Sequence, residues 1–159
     1  MNKITPWLWF DGQAEQAAHY YTSIFKNSRM GTVSRFGEGG PMPAGSVMTA
    51  EFEVEGQPFV ALNGGPDHNF TEGVSFYVDC ASQEEVDELW DKLTAGGGEP
   101  GQCGWLKDKY GVSWQIVPHE FLDLMNDPDT EKAGRVVQAM LKMSKLDLAE
   151  LRAAHEGRR

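Results

Sequence analysis

The stretch W-L-K-D-K-Y-G-V-S-W-Q-I-V-P, residues 105–118, carries the densest structural signal in the chain. It reads as the end of one strand, a tight turn and a second strand. Val112, Trp114 and Ile116 alternate with Ser113, Gln115 and Val117, and Pro118 closes the run. A period of two sends one set into a core and the other to the opposite face of a sheet. After Asp108-Lys109-Tyr110 the turn needs a positive φ, which Gly111 supplies. Gln115 stands at the centre of the strand, and a covered amide needs a hydrogen-bonding partner.

The segments before this stretch set its context. Val74–Cys80 reads as a strand. Ser82 with Glu85 three residues later is a capping box, opening a helix over 84–94 with Val86, Leu89, Trp90 and Leu93 on one face. Gly96-Gly97-Gly98 stops that helix, and residues 99–107 hold a weak strand or two. The same order occurs earlier. Residues 3–10 read as a strand and 13–25 as a helix with Ala14, Ala17, Ala18, Tyr21 and Ile24 at helical spacing. Residues 29–36, 47–54 and 58–63 read as strands, separated by the glycine-rich loop 37–45 and a turn at 55–58. Gly64-Gly65-Pro66 and the loop 67–73 separate the two halves.

The expectation is an α+β fold. Two βαβββ modules, about 3–66 and 72–118, share one domain over 1–125 and form a curved mixed sheet with helices outside and a cleft inside. A helical extension follows over 126–159. Thr130 is a candidate cap for a helix over 131–143, and Ser144 and Asp147 are candidates for a last helix carrying Leu148 and Leu151. These helices carry too little apolar surface to fold alone, so they dock on the body or on a second subunit.

The 159 residues are 40 % hydrophobic and 24 % charged, which suits a globular chain with a core of its own. A formal charge of −10 argues against nucleic acid and anionic membrane surfaces, which reward clustered Lys and Arg. No run reaches the roughly 18 apolar residues of a membrane span. The two cysteines, Cys80 and Cys103, form no CxxC and suit a reducing cytoplasm.

Four motifs resemble one family. Phe10–Phe25, Val60–Pro66 (V-A-L-N-G-G-P), Gln102–Pro118 and the tail around Asp127-Pro128-Asp129 are similar to the PhnB-like branch of the vicinal oxygen chelate superfamily, which includes glyoxalases and extradiol dioxygenases. Members of that branch often carry the label 3-demethylubiquinone-9 3-methyltransferase. The resemblance implies homodimers with pockets in curved sheets and no agreed reaction.

In the superfamily's enzymes a divalent metal is held by a ring of His and Glu from the first and last strands of each module. Such metals need imidazole, carboxylate or thiolate donors. Strands 3–10 and 58–63 hold no His, Asp or Glu, strand 74–80 only Asp79, and strand 112–118 none. Gln115 stands where the superfamily tends to place a glutamate, and a neutral amide is a poor substitute. The expectation is no metal at the usual site and no cofactor. A displaced site at His68, His119 and Glu72 or Glu120 would make the protein a lyase, isomerase or dioxygenase. Methyl transfer fares less well. Gly37-Glu38-Gly39-Gly40-Pro41-Met42 begins like a dinucleotide turn, but Met42 replaces the last glycine and no long helix follows. Glu51, Glu53 and Glu55 alternate on one strand as a solvated face.

Aromatic residues remain. Trp7, Trp9, Phe76, Trp105 and Trp114, with the amides of Asn63 and Gln115, are the candidate ligand-binding residues. Aromatic walls with one or two amides suit a small hydrophobic or aromatic molecule. The same rings also suit a core, and the sequence leaves both readings open, because it does not fix which strand face is which.

Overall fold

The computed structural model describes residues 2–158. The chain runs β1 (Trp7–Phe10), α1 (Ala14–Ile24), β2 (Ser28–Arg35), β3 (Val47–Val54), β4 (Gln57–Asn63), β5 (Phe76–Cys80), α2 (Gln83–Thr94), β6 (Glu99–Pro100), β7 (Trp105–Lys107), β8 (Ser113–Pro118), α3 (His119–Met125), α4 (Thr130–Met140) and α5 (Leu148–Glu156). Two four-stranded sheets result, ordered β1-β4-β3-β2 and β5-β8-β7-β6. The second repeats the first strand for strand. In each, the opening strand pairs parallel with the last and the other neighbours are antiparallel. This is the α+β, glyoxalase-like arrangement of two βαβββ modules. The chain divides into two compact units, Met1–Phe70 and Thr71–Arg159, and each carries one sheet. The terminal positions 1 and 159 of the predicted domain ranges lie outside the described residues.

In the first unit Leu8, Phe10, Ala50, Phe52 and Ala61 are buried on one sheet face and Ala14, Ala17, Ala18 and Tyr21 on α1. Three alanines on the helix stripe let its backbone approach the sheet closely. Tyr21 stacks on Phe52 at 5.8 Å between ring centroids, and Phe52 stacks on Phe59 at 5.3 Å. Such aromatic pairs contribute about 0.5–1.5 kcal/mol each beyond their buried area. In the second unit Val86, Leu89, Trp90 and Leu93 of α2 are buried, as are Leu106, Trp114 and Ile116 of β7 and β8.

Several boundaries differ from the sequence reading. β1 begins at Trp7 rather than residue 3, because Pro6 lacks the N–H a ladder needs; its carbonyl still accepts from the Val60 N–H at 3.1 Å. β5 begins at Phe76 rather than Val74. Glu55 does not continue the row of Glu51 and Glu53; it stands in the turn after β3 with φ 49°. The seven-residue α3 was not expected, since the strand-ending Pro118 masks a helix start, and here Pro118 is its N-cap. Asp129, not Thr130, caps α4 by accepting from the Glu131 and Lys132 N–H groups. Asp147 caps α5, while the Ser144 hydroxyl donates to the Gly101 carbonyl at 2.5 Å.

The three tail helices are anchored inside the second unit. Phe121, Val136, Met143, Leu146 and Leu151 form one buried cluster with Val117 of β8. Gln83, at the start of α2, accepts from the Leu148 N–H at 2.7 Å and donates to the Leu146 carbonyl at 3.0 Å. Lys145 pairs with Asp87 at 2.8 Å.

Candidate functional site

The V-A-L-N-G-G-P motif organises the first unit. Asn63 ends β4 and spends both ends of its amide on the fold. Its Oδ1 accepts from the Ala14 N–H at 2.9 Å, and its Nδ2 donates to the Val47 carbonyl at 3.0 Å. The first bond supplies the cap that Gln13 does not give α1. Gly64 is needed for space: a Cβ there would stand 2.3 Å from the Trp9 ring. The indole N–H of Trp9 donates to the Gly65 carbonyl at 2.8 Å, and His68 packs edge-on to the same ring at 4.7 Å. Trp9 and Asn63, both expected to meet a ligand, therefore have positions in the architecture. Trp7 opens β1 opposite Val60, and its side chain is left 58 % exposed.

The K-D-K-Y-G turn does the same for the second unit. Asp108 is only 2 % exposed. Its Oδ1 accepts from the N–H groups of Tyr110 and Val112 at 2.9 and 3.1 Å, and its Oδ2 from the Trp114 indole at 2.9 Å. Three donors offset the cost of burying a carboxylate. Gly111 closes the turn at φ 90°. The bonds pin Trp114 in the core beside Phe76, at 5.4 Å between centroids. Sequence reading missed Asp108 because an exposed turn aspartate and a buried one look alike without tertiary burial.

Strand register then sorts the remaining residues. Phe76, Trp114 and Leu106 stand side by side on one face of the second sheet. Tyr77, Gln115 and Trp105 stand side by side on the other, as direct partners across β5, β8 and β7. The seven predicted ligand residues are thus not one cluster: Trp105 and Gln115 share a face, and Phe76 and Trp114 occupy the opposite one. Gln115 donates to the Ser75 hydroxyl at 2.9 Å. Tyr77, absent from the expected set, is 46 % exposed, and partial burial followed by the nearby Asp79 charge raises its phenol pKa. Its period-two relation to Asp79 was visible in the sequence, but not its register with Gln115.

One row further along this face lies a cavity of about 320 Å³, lined by Glu72, Glu99, Trp105, Lys107 and Ser113 among others. Lys107 pairs with Glu72. A hydrogen bond from Lys107 holds the Glu72 carboxyl below the usual range, and the same bond raises the lysine.

The histidines and carboxylates of the displaced-metal reading are engaged separately. His68 meets Trp9, and His119 bonds Asp79 at 3.0 Å. Glu120 pairs with Arg152, whose hydrogen bond lowers the carboxyl's pKa, and Glu72 pairs with Lys107. Among the described residues no group of three or more His, Cys, Asp or Glu side chains is placed to hold a metal ion. The donor set of the superfamily's metal does not fit this chain. The loop 37–45 leads from β2 into the antiparallel β3 rather than into a helix, so it is no dinucleotide turn. Cys80 is wholly buried, and burial followed by the Glu85 charge pushes its thiol up to about 12, so it is no nucleophile.

No curated protein matches this chain. Residues 2–117 match the family described as 3-demethylubiquinone-9 3-methyltransferase, which leaves α3, α4 and α5 outside the match. The PhnB protein from Bacillus cereus is 40 % identical with a TM-score of 0.67, over 74 % of this chain and 99 % of its own. Protein PA1353 from Pseudomonas aeruginosa is 23 % identical with a TM-score of 0.58, over 72 % of this chain and 95 % of its own. The fosfomycin resistance protein FosX from Listeria monocytogenes, 16 % identical with a TM-score of 0.50 over 71 % of this chain and 87 % of its own, shares the fold. The chain belongs to the 3-demethylubiquinone-9 3-methyltransferase family, of which the PhnB protein is a relative.

Proposed function

We propose that this protein binds a small hydrophobic or aromatic molecule on the Tyr77–Gln115–Trp105 face of its second sheet, without the superfamily's metal. One observation carries the reading: two aromatic rings flank one amide as direct neighbours across three strands. Rings supply apolar contact, and an amide with a donor and an acceptor fixes the orientation of a flat ligand. The neighbouring Trp114 and Phe76 support the face from behind, on its core side. The protein acts as a cytoplasmic homodimer, a reading supported by free Cys80 and Cys103 and by exposed Trp7 and Val74.

A thermal-shift panel of neutral planar aromatics tests it. A ligand at one hundred times its Kd raises the melting temperature by about 5 °C or more in a chain of this size. Trp105→Ala removes that shift, and Gln115→Leu keeps part of it while losing discrimination between ligands with and without a polar substituent. Equal shifts in wild type and Trp105→Ala overturn the reading. S-adenosylmethionine in the same assay gives no shift; a shift with it favours the methyl transfer that the family's description names.

A further inference from the structure

The tail reaches the candidate site through one turn. Gln102, Cys103 and Gly104 lead into Trp105, whose N–H donates to the Gln102 carbonyl at 3.0 Å. Both central residues of this turn are left-handed, Cys103 at φ 59° and Gly104 at φ 85°. Glycine adopts that conformation freely, whereas a residue with a Cβ keeps it only where its surroundings impose it. Here the segment after α4 imposes it. The Cys103 N–H donates to the Met143 carbonyl and the Gly104 N–H to the Ser144 carbonyl, each at 2.8 Å. The Ser144 hydroxyl donates to the Gly101 carbonyl. Leu146, 1 % exposed, packs where a side chain on Gly104 would go, since a Cβ there would stand 3.1 Å from it.

Trp105 is held through the same turn. The Gly101 N–H donates to the Trp105 carbonyl at 2.8 Å, and a Cβ on Gly101 would stand 3.5 Å from the Trp105 Cβ. On the strand side the Ile116 N–H donates to the Gly104 carbonyl at 2.8 Å. The PhnB protein from Bacillus cereus is matched over 99 % of its own chain by 74 % of this one, so the shared fold does not require the remainder.

Building on the aromatic-binding reading above, we infer that segment 143–146 positions Trp105 for the ligand. Docked, it holds the turn left-handed and Trp105 beside Gln115. Released, it lets Cys103 relax and Trp105 leave that face. Ligand binding and tail docking therefore strengthen each other by the same factor in both directions.

Indole and 2-naphthol are the probes, titrated by calorimetry on the full chain with amide exchange followed in parallel. At one hundred times its Kd a probe slows exchange of the Cys103 and Gly104 amides about hundredfold, because an opening that releases Trp105 also releases the probe. The Gly45 and Ser46 amides of the first unit keep their rates. Without ligand, Ser144→Ala speeds exchange at Cys103 and Gly104 about fivefold and leaves Leu93 of α2 unchanged. Combined with Gln83→Ala it weakens probe binding about threefold. Ser144→Thr, which keeps the hydroxyl, and Arg152→Ala, which removes the exposed pair with Glu120, bind like the wild type. A bound probe that leaves the Cys103 and Gly104 rates unchanged, or wild-type affinity in the double variant, overturns the positioning role while leaving the aromatic face standing. Binding by neither probe overturns the aromatic face and the positioning role together. Circular dichroism of each variant confirms that its fold is retained.

Discussion

Asp108 shows how much one side chain can fix. It is buried, and its three bonds reach two turn N–H groups and the Trp114 indole. Asp108→Ala leaves those donors without an acceptor and lowers stability by about 3 kcal/mol. Asp108→Asn keeps one acceptor but turns an NH₂ toward other donors, and costs roughly half as much. Urea midpoints with an unchanged slope check both values; a loss below ~1 kcal/mol in the alanine variant contradicts the assigned role. The same contrast runs through the predicted site. Gln115 and Asn63 look equivalent as amides in strands. Asn63 is consumed by α1 and β3, whereas Gln115 makes one bond to Ser75 and faces two aromatic rings. Identity of side chain was legible in the sequence; its partner was not, because those partners lie 16 to 49 residues away.

Among the elements, α1, α2, β3, β4 and β8 were legible nearly to their ends, because period and capping are local. Ser82 accepts from the Glu85 N–H at 3.2 Å, as the S-x-x-E spacing predicts. The tail is held by a different logic. Gln83 reaches Leu146 and Leu148, more than sixty residues on, and Asp87 reaches Lys145. Hydrogen bonds from Lys145, then Gln83, hold the Asp87 carboxyl below its ordinary 3.8. A depressed carboxyl contributes stability that is present above 3.8 and lost as the pH falls through the folded-state value. Asp127, lowered chiefly by the Asp129 N–H and then by His155 of α5, follows the same direction. Gln83→Ala therefore loosens α4 and α5, costing about 1–2 kcal/mol. Protection of the amides over 142–158, relative to their intrinsic exchange rates, falls in that variant, and falls in the wild type as the pH drops below 3.8. Unchanged exchange in the tail contradicts this anchoring. The short α3 was illegible because Pro118 reads as a strand end, and its apolar Phe121, Leu122, Leu124 and Met125 find their cluster only with α4 and α5.

For the whole molecule, the proposed homodimer makes a measurable claim. Trp7 is 58 % exposed and Val74 is 68 % exposed. Large apolar side chains left exposed in each unit offer surface that a partner can cover. Sedimentation equilibrium gives twice the 17.6 kDa of one chain, and Trp7→Glu shifts the mass toward one chain. A single-chain mass across the concentration range removes the dimer. The family match ends at Val117, so α3, α4 and α5 lie outside it.

The residues 105–118 were enough, with their earlier counterparts, to establish two βαβββ modules, since strand period, turn glycine and helix caps are set within a few residues. That strands 3–10, 58–63 and 112–118 carry no His, Asp or Glu was equally legible, because donor chemistry depends on residue type. Only the tertiary structure decided which rings belong to the core. Register pairs Trp114 with Phe76 and Leu106 on one face, and Gln115 with Tyr77 and Trp105 on the other. A one-residue slip would exchange those faces, so long-range strand pairing, not local pattern, distinguishes core from candidate site.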